Sequence, residues 1–296
     1  MATMRSVVLT AIAVCALCVS VAAQWPTRRM SGVPRDAQGK VRMDAPAPKT
    51  QDGKPDLSGL WLRSDRDPLP SELAGILGPR DAQPGRGAPP DRNSPPVATF
   101  FELGANIPGG LPFTPWAADV RKQRVATAAK DNPDANCMPM GFTQFHMQPQ
   151  PRLIVQTPAL ILVEYEANYG LRHIYLDGRK LPRQGEPQPW WYGYSVGRWD
   201  GDTLVVETNN VRGADAGPYD GWLDVRGSPY SDQATFTERI RRPTFGKLEI
   251  DVTLEDAKAY TKPFTVRIDQ RVLPDQDLIE FVCNENQQFR RRIQID

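Results

Sequence analysis

Two sets of side chains in this 296-residue sequence have the types and spacing for chemistry: scattered carboxylates with two histidines, and a dense aromatic cluster. Glu164, Asp177, Glu207, Glu238, Glu280 and Glu285 sit in or beside β-prone runs. Glu207 and Glu238 interrupt apolar or hydroxyl-bearing faces. A carboxylate turned into a protein interior must be paired or have its pKa raised, and Arg172, Arg179 and Arg239 are available partners. Glu164, Glu207, Glu238 and His173 are therefore the candidates for acid–base catalysis, against the plainer reading of ion pairs that hold turns. Neither His146 nor His173 has a second ligand nearby at zinc spacing. A set of His146, His173 and Glu164 would require a site assembled across the fold, so no metal and no cofactor is expected. Gly193-Tyr-Ser-Val-Gly197 has the letters of a nucleophile elbow around Ser195. That motif needs a strand, a sharp turn and a helix, whereas here the β run continues to Asp200-Gly201.

Trp190, Trp191, Tyr192, Tyr194 and Trp199 fall within ten residues. Aromatic rings with a few polar neighbours form platforms for sugar rings or aromatic ligands. Strand alternation would put Tyr192 and Tyr194 on one face and Trp191 on the other, dividing the cluster between core and pocket. Tyr192, Tyr194, Trp199 and Arg172 are the expected ligand-binding residues, with Glu164, Glu207 and Glu238 as polar anchors.

The elements that must position these groups are mostly short strands. Residues 192–199 and 203–208 read as a hairpin about Asp200-Gly201. Residues 153–156, 159–166, 171–176, 235–241, 247–254, 264–272 and 278–283 read as further strands, and 55–63 as the first. In 247–254, Leu248, Ile250, Val252 and Leu254 alternate with polar residues, and 264–272 alternates likewise. Antiparallel pairing of these two would bring acidic and basic faces together as cross-strand ion pairs. Residues 24–150 hold 19 of the 29 prolines, a density that breaks ladders and helices alike. Within that arm, 114–130 reads as a helix capped by Thr114 with Pro115 at its first position, Trp116, Val120 and Val125 facing the core.

Residues 1–23 have the layout of an export signal: Arg5, an apolar run over 7–21, then small residues before Gln24. Its removal takes one arginine and leaves 35 basic against 35 acidic side chains. That balance argues against nucleic acid or an anionic membrane as partner, and the run is too short for an integral span. The expected location is periplasmic or extracellular. Cys137 and Cys283 remain, either as one disulfide, worth roughly 4 kcal/mol by loop entropy, or as two buried thiols.

Gly59-x-Trp61 at the first strand resembles the opening of lipocalin-type barrels. From Cys137 onward, the pieces CMPMGF, YLDGR, GYSVGRWDGDTLVVET, TERIRR, VTLEDAKAYTKPF and EFVCNEN occur in that order. The run resembles a family of uncharacterised exported bacterial β proteins with the elements CxPxG, DGR, GHSxGxWEGDTLVV, ER, DPxxYTxPW and CxEN. The resemblance implies pairing of Cys137 with Cys283. The chain departs from the pattern at Tyr194, Asp200, Ala257 and Phe264, where members often carry His, Glu, Pro and Trp.

The expected organisation is a signal segment (1–23), a Pro-rich arm with the first strand and one helix (24–150), and an antiparallel lipocalin-like β-barrel (151–296). A β-sandwich is the alternative. The expected function is binding of a small sugar-like or partly apolar ligand in an aromatic, carboxylate-lined barrel pocket. The alternatives are a hydrolase or lyase using a pocket carboxylate or histidine as base, and a structural protein without a ligand.

Overall fold

A computed structural model describes residues 28–64, 94–186 and 189–283. The signal segment, Glu285 and part of the Pro-rich arm lie outside the described residues. Nine strands close into one barrel in sequence order. They are β1 (Gly59–Arg63), β2 (Arg152–Gln156), β3 (Leu160–Tyr165), β4 (Gly170–Tyr175), β5 (Tyr194–Asp200), β6 (Thr203–Asn209), β7 (Thr235–Thr244), β8 (Lys247–Glu255) and β9 (Phe264–Val272). β1 closes the ring by pairing with both β2 and β9, Trp61 lying opposite Arg152 on one side and Val272 on the other.

The expectation of a wholly antiparallel barrel is corrected at one place. β4 and β5 run parallel, joined only at Ile174–Ser195 and Tyr175–Val196. The reason is parity: strands that alternate in direction close a ring only when their number is even, so nine require a like-directed pair. A parallel pair also needs a long crossover, and 176–193 provides it.

Alternation works as the sequence implied. β8 and β9 pair antiparallel, with Leu248, Ile250, Val252 and Leu254 buried. On the wet face Arg267 Nε lies 2.6 Å from Asp251 on the neighbouring strand. Each aliphatic side chain buried in this way contributes about 1.5–3 kcal/mol. The β5–β6 loop is one residue further along than expected, Gly201-Asp202. Gly201 takes the positive φ (+60°) of a two-residue hairpin loop with glycine first.

Residues 278–283 form no strand. β1 already occupies the free edge of β9, so the closed ring leaves them no partner. They lead instead to Cys283, which is disulfide-bonded to Cys137. Helix α1 (Pro115–Ala126) has the Thr114 cap and the proline at its first turn. It ends before Lys130 because Ala128 and Ala129 take positive φ. It buries Ala117 and Arg124, whereas Val125 is exposed. The Arg124 guanidinium stacks 4.1 Å from the Trp222 ring and donates to the carbonyls of Asp220 and Gly221.

One end of the barrel interior is plugged by the arm. A one-turn helix, α2 (Gln144–Met147), carries Phe145 and His146 into the end where β2, β4 and β7 begin. Phe142 stacks on Phe236 with centroids 3.9 Å apart. Thr143, a β-branched residue at φ +73°, makes the turn, and its hydroxyl donates to the Leu223 carbonyl at 2.8 Å. No helix among the described residues is long and apolar enough to cross a membrane.

Candidate functional site

Inside the barrel the polar groups form one belt. Arg172 of β4 donates from Nη1 to Glu238 Oε1 at 3.1 Å and from Nη2 to Oε2, and both residues are essentially inaccessible. Its remaining protons reach Ser195 Oγ (3.1 and 3.2 Å) and Thr208 Oγ1 (3.0 Å). His146 Nε2 lies 2.8 Å from Glu238, and its Nδ1 lies 3.1 Å from Arg152 Nη1. A guanidinium can only donate, so Nδ1 accepts and Nε2–H donates: the imidazole is neutral. Burial lowers the His146 pKa to about 4, with Glu238 opposing. Burial pushes the Glu238 carboxyl up, yet Arg172 and His146 outweigh it and bring its pKa down to about 2. Such a carboxylate is a poor proton donor or acceptor near neutrality. Beside the belt is a void of about 20 Å³, room for roughly one water, lined by His146, Arg152, Arg172 and Gln270 and by apolar side chains such as Leu57, Ile154 and Ile161.

The larger space is outside, over the parallel seam. The ladder between β4 and β5 stops at Ser195, because Gly193 (φ +65°) turns the chain and donates its N–H to the Trp190 carbonyl. The strands splay there, opening a groove of about 430 Å³ lined by residues 171–173, Tyr175 and residues 190–195. Tyr194 is the middle ring of its wall, with centroid distances of 5.3 Å to both Tyr175 and Trp190. Arg179 lies 3.7 Å above the Tyr175 ring, donates to the Tyr194 hydroxyl at 3.1 Å, and is itself held by Asp177. Leu171 and Trp190, 46 % and 40 % exposed, both lie in the groove lining and so add to one apolar patch.

The backbone adds polar groups. Leu176 N–H donates to the carbonyl of Ala159, just before β3, so even-numbered residues of β4 turn their amides to β3. The alternate residues Leu171 and His173 therefore turn theirs towards β5, beyond the last ladder pair.

The expected site residues are dispersed. Tyr194 is in the groove wall. Tyr192 and Arg172 form its floor, and the Tyr192 ring packs 5.5 Å from both Phe145 and Tyr165 in the core. Tyr192 and Tyr194 do not share a face, because the Gly193 turn lies between them and breaks the alternation. Trp199 is half-buried against the core, further along β5 and on its other face, and does not line the groove. His173 lines it. Glu164 and Glu207 are exposed on the outer wall, whereas Glu238 is within the belt, so the three carboxylates do not meet. His146 and His173 lie on opposite sides of the wall. Among the described residues no group of three or more His, Cys, Asp or Glu is placed to hold a metal.

Sequence reasoning did not select Tyr175, Leu171 or Trp190. The signal that could have found them is Gly193: a glycine between two tyrosines at the start of a β run marks where alternation resets.

No protein-family model, no curated protein and no solved structure matches the chain. The fold and groove define a class by themselves: a plugged, nine-stranded mixed barrel with an aromatic groove over its one parallel seam.

Proposed function

We propose that the protein is an exported binding protein for a small, sugar-like or partly apolar molecule, held in the groove over the β4–β5 seam. One observation carries this reading. Three rings, Tyr175, Tyr194 and Trp190, stand in a row along an open groove of ligand size, with Leu171 and Trp190 left substantially exposed. Stacking on such rings is how proteins hold planar and pyranose faces, and the backbone of Leu171 and His173 supplies orienting polar groups. The reading keeps the lipocalin-like idea of a barrel that carries a ligand, with the ligand on the wall rather than within. Membership in the exported bacterial family that the sequence resembles, and a periplasmic or extracellular location, belong to the same proposal. Catalysis is the weaker alternative, since His173 is the only imidazole in the lining and no carboxylate is there.

The test is tryptophan fluorescence and thermal shift with methyl glycosides, disaccharides and simple phenols. A native-state ligand at a hundredfold excess over Kd adds about 2.7 kcal/mol. A saturable shift lost in Trp190→Ala, measured on a sample that remains folded, supports the groove. Absence of any shift in a folded sample overturns it.

A further inference from the structure

The outer wall of the barrel is not uniform. On β7, β8 and β9 the outward side chains are charged or threonine, and Arg241, Glu249, Asp251, Arg267 and Lys247 form ion pairs. On β2, β3 and β4 they are mostly apolar. The register sets Leu153, Glu164 and Leu171 side by side in one row, Val155, Leu162 and His173 in the next, and Leu160 beside Tyr175 in the third. Val155 is 43 % exposed. Leu171 and Tyr175 belong both to this face and to the groove.

We infer that the groove's ligand is an amphiphile: a planar or sugar-like head resting against the ring row of Trp190, Tyr194 and Tyr175, with an alkyl chain laid over Leu171, Leu162 and Val155. The inference rests on the proposed function and narrows its ligand class. Size separates a chain from a protein as the occupant. Three strands span about 10 Å across, and residues 171–175 about 13 Å along. That patch is on the order of 150 Å², whereas a stable protein interface takes about 800 Å² from each partner. A single alkyl chain needs no more width than the track has. Continuity with the groove through Leu171 gives the chain a fixed starting point, and the charged far wall gives it no alternative path.

The test uses two series of probes below their micellar concentrations, n-alkyl β-glucosides from methyl to octyl and 4-alkylphenols from methyl to hexyl. Affinity is read by tryptophan fluorescence on the full chain. Binding should tighten about twofold per added methylene, as half-burial of each group implies, until the track ends. In Val155→Asn, an exposed substitution away from the groove lining, the gain with chain length should fall while binding of the methyl members stays the same. Methyl members that bind with no gain along either series would overturn the inference and leave the groove reading intact. A gain that persists undiminished in Val155→Asn would overturn it too, placing the chain elsewhere. Failure of every member to bind would overturn both.

Discussion

Arg172 and Glu238 stand on strands three places apart around the ring, yet they meet at its centre, guanidinium to carboxylate, with no access to water. Such a pair is fragile to loss of one member, because the survivor is left charged and buried. Glu238→Leu should cost about 3–5 kcal/mol, and the double variant Arg172→Met/Glu238→Leu should regain most of that. Urea unfolding of the wild type and the two variants checks this. Equal losses in the single and the double variant would show that the pair is not coupled.

The neutral His146 makes stability depend on acid. Its folded pKa is lowered from 6.5 to about 4, so the unfolded chain takes up the proton first as pH falls. Stability is complete above about 6.5 and declines between there and about 4, by on the order of 3 kcal/mol. Below about pH 4.5 the Glu238 carboxyl, lowered to about 2, begins a second decline as its ion pair is lost. Thermal midpoints measured from pH 7.5 to 4 should hold level to about pH 6.5 and fall below it, and His146→Asn, though less stable at neutral pH, should flatten the upper part of that decline.

The Cys137–Cys283 bridge closes a loop of 146 residues and anchors the segment that leads into the barrel plug. Loop entropy assigns it about 4–5 kcal/mol. Reduction, or Cys137→Ala/Cys283→Ala, should lower the urea midpoint accordingly with little change in far-ultraviolet dichroism of the barrel.

Gly193 sets the splay of the seam. Its φ of +65° disfavours any side chain, and an added Cβ would come within 2.6 Å of the Thr208 methyl and 2.7 Å of the Asn209 carbonyl. Gly193→Ala should destabilise by about 1–3 kcal/mol and shift the tryptophan emission, since Trp190 is tied to the same turn. An unchanged spectrum would mean that the groove is indifferent to this turn.

Strands whose information lies in their own alternation were legible. β8 and β9 announce one wet and one dry face, and their facing charges follow from that. The helix start was legible at Thr114-Pro115 for an equally local reason. The parallel seam was not, because no short stretch records the direction of a neighbour reached by a long crossover. Tyr192 was placed on the wrong face because period-two reasoning assumes an unbroken strand, and Gly193 breaks it. Glu238 stood out as a charge on an apolar face. That its partners would be Arg172, across the ring, and His146, from the Pro-rich arm, depended on tertiary packing alone.

The pairing of β1 with β9 also has a consequence in time. Trp61 and Val272 lie near opposite ends of the described chain, so the ring stays open until its last strand has emerged. During synthesis β1 must wait with an unpaired edge while eight further strands arrive, and contacts so distant in sequence form slowly. A chain truncated before β9 would have no way to seal its seam, which makes the final strand the step that commits the molecule to its native form.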